Sequence, residues 1–191
     1  PLSQSIPIKN TAIFSDSSPI NATKYIKYEE KIPMNPDLLH VINPVALVGY
    51  VRQIVMIEGP IHSEIVKKRI TNCVGVAKVG SRISRNLDMA IKSAIHKRLV
   101  SYEDMFLYIM ENPLVVRDRS AEDQTLKNPE YIPPSEIRMS MIEIIKQAHS
   151  VSEAELIHNC FRMFGFLKVT AQMKAIGAKV LSKVLEGKVI Q

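Results

Sequence analysis

The feature that most constrains this chain is that it resembles itself. Displaced by 90 residues without a gap, INPVALVGYVRQIVMIEGPI at 42–61 falls on IPPSEIRMSMIEIIKQAHSV at 132–151. The same displacement pairs Val66 with Leu156, Ile70 with Cys160, Gly75 with Gly165, Lys78 with Lys168, Ile83 with Met173, Ile91 with Leu181 and Ile95 with Leu185. Identities are few, but the apolar positions and the glycine turn coincide, as they do when one supersecondary unit has been duplicated. The fold therefore has to be built twice from one outline.

That outline is legible in the first copy. Pro44 suits the first turn of a helix running to about Glu58, with Val48, Val51, Ile54 and Val55 on one face. Gly59-Pro60 stops it. A second helix over 63–74 turns Val66, Ile70 and Cys73 inward and carries Lys67, Lys68 and Arg69 toward its polar side. The turn GVAKVGS follows, then a third helix over 81–98, and LVSYEDMFLYI reads as two short strands around Glu103 and Asp104. Three helices and a two-stranded ribbon make a winged helix-turn-helix. The expected fold class is thus mainly α: tandem winged-helix modules (helix-turn-helix plus small β wing) behind an extended N-terminal arm. The arm spans 1–39, interrupted by Pro7, Pro19, Pro33 and Pro36, with one short strand near residues 12–14. The first module spans 40–110, and the polar, aperiodic stretch 111–131 reads as a linker. The second module spans 132–191, with Ser152 and Glu155 as a capping-box signal and its wing truncated or absent. A first residue of proline and a last segment VLEGKVIQ that is still apolar suggest a piece of something longer.

Composition narrows the function classes. No run approaches the about 20 apolar residues that span a bilayer, and PLSQSIPIKN lacks the features of a secretory signal. Two cysteines, Cys73 and Cys160, allow neither a disulfide framework nor a four-cysteine zinc site; at matching apolar positions they read as core. A cytoplasmic, reduced protein without membrane attachment is expected. Lys and Arg number 25 against 19 Asp and Glu, a formal charge of +6 that permits a nucleic-acid partner without demanding one. Catalytic signals fail on inspection. The run from Gly75 to Arg82 imitates a phosphate loop, but serine stands where the lysine must reach the phosphates. His62-Ser63-Glu64 imitates a deaminase signature without the cysteines that would hold zinc, and His62 reads as a helix cap or surface residue. No cofactor, metal or catalytic residue is expected.

The third helix of the first copy carries the binding signal. Ile83, Leu87, Ala90, Ile91, Ala94 and Ile95 form its apolar stripe, and Arg82, Arg85, Met89, Lys92, Ser93 and His96 the opposite face. In a helix-turn-helix this is the helix that enters the major groove. Arg82 and Arg85 suit guanine edges or phosphates, Lys92 a phosphate, with Lys67, Lys68 and Lys78 nearby and the ribbon flanking the duplex. The second copy offers Gln172, Ala175, Lys179, Ser182, Lys183 and Glu186, a less basic face suited to packing or protein contact.

The strings IEGPIHSEIVKKRI, GVAKVGSRISRNLDMAI, VRDRS and YIPPSEI resemble an uncharacterised C-terminal domain family of large bacterial DNA helicase-like proteins. In that family the domain follows a superfamily 1 helicase core and a nuclease-like domain of the very-short-patch-repair type. Its EGP(I/V)H turn and G-S-R-I helix start are matched by Glu58-Gly59-Pro60-Ile61-His62 and Gly80-Ser81-Arg82-Ile83. The similarity covers about residues 40–191, but Thr170-Ala171-Gln172 replaces Gly-Ser-Arg in the second copy. The resemblance implies a parent protein with ATPase and nuclease activity in its other domains, while the family itself has no assigned activity. Taken with the basic face of the third helix, the expectation is a non-catalytic accessory domain that holds duplex or forked DNA near the motor, mainly through the backbone. The rival expectation is a protein-interaction or dimerisation module docking onto the helicase core or a partner.

Overall fold

The computed structural model describes residues 22–148 and 150–188. The chain is mainly helical with small sheets. Its elements are β1 (Thr23–Lys24), α1 (Val48–Glu58), β2 (Ile61–His62), α2 (Ser63–Val74), α3 (Ser81–His96), β3 (Ser101–Glu103), β4 (Phe106–Tyr108), β5 (Arg117–Asp118), α4 (Pro134–Gln147), α5 (Glu153–Met163) and α6 (Ala171–Lys188), with short 3-10 turns at Pro36–Leu38, Pro44–Leu47 and Pro129–Tyr131. They divide into two compact units, one over Tyr25–Pro113 and one over residues 22–24 with 114–188.

In the first unit Pro44 opens a 3-10 turn whose cap is Asn43, its side chain accepting from the Val45 amide at 3.0 Å. The turn runs into α1, which buries Val48, Val51, Ile54 and Val55 as its spacing requires. At Gly59 a Cβ would overlap the Val55 carbonyl oxygen, so only glycine fits where the chain leaves α1. Two residues later His62 caps α2, its Nδ1 accepting from the Glu64 amide at 3.2 Å, which is the capping role its sequence position suggests. The α3 helix stops at His96 because Arg98 turns into the left-handed region at φ 56°.

The ribbon forms where expected. Ser101, Tyr102 and Glu103 pair antiparallel with Tyr108, Leu107 and Phe106, and Asp104 and Met105 at the tip both have positive φ. A third strand joins it: β2 pairs antiparallel with β4, so the sheet order is β2-β4-β3. Two residues lying between a proline and a helix carry no alternation from which a strand is read. The lead-in is likewise more than an arm. Tyr25, Tyr28, Ile32 and Leu39 are buried in this unit, and the Ile32 amide donates to the Cys73 carbonyl at 3.0 Å. The strand expected near residues 12–14 lies outside the described residues.

In the second unit the helix starts of the first reappear ninety residues on: Pro44, Ser63 and Ser81 correspond to Pro134, Glu153 and Ala171. Ser152 supplies the capping box, with its hydroxyl facing the Glu155 amide and the Glu155 carboxylate accepting from the Ser152 amide at 3.0 Å. The glycine turns correspond as well. Gly75 at φ 89° and Gly165 at φ 87° follow α2 and α5. The next amide in each case, Val76 or Phe166, reaches back to Thr71 or Phe161 at 2.9 and 3.2 Å. The core is built from Ile137, Met141 and Ile144 of α4, Leu156, Ile157, Cys160 and Phe161 of α5, Phe164 and Phe166 of the turn, and Met173, Val180 and Leu181 of α6.

Residues 111–131, expected as a linker, are from Leu114 onward part of this unit. Val116, Arg117, Arg119 and Leu126 are buried there, and β5 pairs in parallel with β1. Polarity reads as exposure only while charges have no internal partner, and here both arginines reach the buried Glu136.

The two glycine turns separate two costs of a side chain. Gly75 faces open space, whereas a Cβ at Gly165 would overlap the Ser120 backbone nitrogen. Gly75→Ala is expected to cost only the left-handed strain, about 1–2 kcal/mol in urea unfolding. Gly165→Ala should cost clearly more; equal losses would refute the packing argument.

Candidate nucleic-acid interface

The third helix is built to present one basic face. Its inner side is fixed by Leu87, Ala90, Ile91 and Ala94, all buried. Asn86, also buried, donates both amide protons of its side chain, to the Leu39 and Ile42 carbonyls at 2.9 Å each, which sets the roll of the helix against the lead-in. With that side occupied, Arg82, Arg85, Met89, Lys92 and His96 are exposed along one stripe, spaced three and four residues apart. The cap is Gly80, which offers no side chain, and the first turn has no acid. The first amides and the positive end of the helix dipole therefore lie beside Arg82. Lys97 and Arg98 continue the exposed basic run beyond the helix. The tripeptide His96-Lys97-Arg98 was the signal for that extension, and a reading confined to the helical face passes over it.

Lys68 on α2 and Lys78 in the turn between α2 and α3 are exposed. Lys67 is not available. It is buried, and its ammonium lies 2.6 Å from Glu64, 3.0 Å from Asp88 and 3.3 Å from the Ser84 hydroxyl. Burial alone would lower its pKa, but the hydrogen bonds it donates to Glu64 and Asp88 outweigh it and hold the lysine above its ordinary value. The expectation that Lys67 meets a ligand is therefore corrected: all three of its protons have acceptors inside the protein. The ribbon tip offers no cation either, since Ser101–Tyr108 contains Glu103 and Asp104 and neither lysine nor arginine.

The EGPIH string is architecture. Glu58 is wholly buried; its carboxylate accepts from Arg69 Nε and Nη2 at 2.6 and 2.7 Å, from the Tyr25 hydroxyl at 3.0 Å and from the Tyr28 amide at 3.0 Å. His62 packs edge-on against Phe106, ring centroids 5.1 Å apart. Among the described residues no group of three or more His, Cys, Asp and Glu could hold a metal ion. No described helix is long and apolar enough to cross a membrane.

In the second unit Gln172, Ala175, Lys179, Ser182, Lys183 and Glu186 are exposed on α6, and Gln172 donates to Glu130 at 2.9 Å. Cys160 is buried 2.6 Å from the Ser140 hydroxyl, and burial pushes its thiol up to about 12 despite that hydrogen bond. Cys73 is half-buried, with its pKa also raised by burial.

Residues 37–85 match the model of a family described as a protein of unknown function (DUF3320). That span contains both the Glu58–His62 turn and the Gly80–Ile83 helix start. No curated protein and no solved structure matches the chain.

Two measurements test this description. Glu58→Gln leaves the partly buried Arg69 guanidinium without its wholly buried countercharge and should cost about 3 kcal/mol in urea unfolding, much of it recovered by Arg69→Met in the same chain. A loss under 1 kcal/mol would mean that the pair is not what fixes the lead-in. With Ellman's reagent at pH 8, Cys160 should stay silent and Cys73 react slowly, both becoming rapid in urea; immediate reaction of two thiols would contradict the burial.

Proposed function

We propose that the first unit is a winged-helix module and that the chain is a non-catalytic domain holding DNA through α3. The observation that carries this is the exposed stripe Arg82, Arg85, Lys92 and His96, continued by Lys97 and Arg98, on a helix whose one acid, Asp88, is already paired. The order α1, β2, α2, α3, β3, β4 and the sheet order β2-β4-β3 support the winged-helix reading. The coinciding helix starts support a second copy of the same helical core.

Arginine and lysine on one helix face neutralise phosphates and give affinity with weak sequence preference. The contact lies along α3, with Arg82 and Arg85 at the base edges and Lys92 and the 97–98 pair on the backbone. The acidic ribbon tip stays off the phosphates. The resemblance carried by the motif strings supports a place for such a domain beside a helicase core and a nuclease-like domain of one parent protein. A second reading, docking onto a protein, is favoured by Leu167, 84% exposed, and by Ile145 and Leu185 on the second unit.

The test is fluorescence anisotropy with labelled single-stranded, duplex and forked DNA over a range of salt. Binding should weaken steeply, log K falling with log salt by about 0.9 for each phosphate neutralised on a duplex. Arg82→Glu/Arg85→Glu should abolish it without changing the unfolding free energy by more than about 1 kcal/mol. Absence of binding at low salt, or an unaffected double variant, refutes the DNA reading and leaves the docking one.

A further inference from the structure

We propose that Lys67 is a positioning residue for the basic face of α3, keeping Asp88 paired away from Arg85 and Lys92 without itself touching nucleic acid. This rests on the DNA reading above and names what keeps that face available.

Asp88 is the one acid in α3. It lies three residues after Arg85 and four before Lys92, and side chains at those separations are neighbours on a helix surface. Left to itself, a half-exposed carboxylate there would pair with either cation and would repel any phosphate that approached them. Instead the Lys67 ammonium reaches across from α2 and lies 3.0 Å from Asp88. The lysine side chain is 10% exposed while the carboxylate is 48% exposed, so the pair is anchored from below and bulk salt screens it less than a surface pair. Ser84, one turn earlier on α3, accepts from the same ammonium at 3.3 Å, and Glu64 lies at 2.6 Å on the α2 side. Those three acceptors account for the three ammonium protons. These partners of Lys67 belong to α2 and α3, and the net effect is to withdraw the Asp88 carboxylate from Arg85 and Lys92.

The consequence is a coupling that a direct phosphate contact would not give. Lys67→Met leaves Asp88 without its cation, a carboxylate worth about threefold against a nearby phosphate at low salt, so duplex binding should weaken about threefold or more. Asp88→Asn should tighten binding about threefold or more in the Lys67→Met chain but by less than twofold in the wild-type chain, and Lys67→Arg should retain wild-type affinity. The slope of log K against log salt should be unchanged by Lys67→Met, whereas Arg85→Gln should flatten it by about one.

The experiment is anisotropy titration of a labelled mixed-sequence duplex with the full chain and these variants, their foldedness followed by circular dichroism. Lys67→Gln, which keeps a donor without the charge, stands in with the same expectations if Lys67→Met does not fold. Equal effects of Asp88→Asn in both backgrounds, a flattened salt slope, or unaltered affinity on loss of the lysine charge would each overturn the assignment while leaving the DNA reading standing. A wild-type chain that binds no DNA overturns both.

Discussion

Each unit depends on a carboxylate that is wholly buried, Glu58 in the first and Glu136 in the second. An ionised carboxylate taken out of water costs several kcal/mol unless donors surround it, so wherever one is wholly buried it dictates what must come to it. Glu58 gathers the Arg69 fork, the Tyr25 hydroxyl and the Tyr28 amide. Glu136 gathers Arg117 and Arg119, and the Arg119 guanidinium also lies over the Phe164 ring at 5.4 Å. In both units the partners include chain that would otherwise lie extended on the surface: residues 25–28 in one, 117–119 in the other. The two carboxylates are not equivalent by the ninety-residue correspondence, because Glu58 falls on Ala148. The same solution is reached at different places in the two helical frames.

That arrangement is what permits a one-sided α3. The lead-in that Glu58 anchors continues to Leu39 and Ile42, whose carbonyls take both amide protons of Asn86. With Leu87, Ala90 and Ala94 buried on the same side, the helix cannot roll to bury its arginines along their aliphatic stems, so they stand in solvent. The second unit reaches the same helix start at Ala171 without that result. Its α6 has Gln172 where α3 has Arg82 and Ala175 where α3 has Arg85. The scaffold is common to both helices, and the surface chemistry is not.

The helix starts at residues 44, 63 and 81 were legible because proline, a capping position and a glycine turn each mark them locally, and the self-comparison then located their counterparts at 134, 153 and 171. The basic face was legible from period alone. What escaped were features made by partners distant in sequence. Arg117 and Arg119 look like linker until Glu136 is brought to them, and Tyr25 and Tyr28 look like arm until Glu58 is. Lys67 sits in a run of three cations, Lys67-Lys68-Arg69, that reads as one basic patch. Helical rotation and packing divide it: Lys68 goes to solvent, Lys67 into ion pairs with Glu64 and Asp88, and Arg69 onto Glu58.

The motif strings divide in the same way. Within Glu58-Gly59-Pro60-Ile61-His62 the glutamate binds Arg69, the glycine lies against Val55, and the isoleucine and histidine form a strand and a cap. In VRDRS and YIPPSEI the arginines and Glu136 bind one another. These residues specify a fold, and a chain that keeps them keeps the frame whatever that frame carries. Gly80-Ser81-Arg82-Ile83, by contrast, places a long cationic side chain in solvent at the open end of a helix. A substitution at Glu58 or Gly59 therefore perturbs stability, and any loss of binding that accompanies it says nothing about contact. Arg82, Arg85 and Lys92 are exposed positions where charge can be reversed while the frame stays intact, so it is there that contact and stability separate.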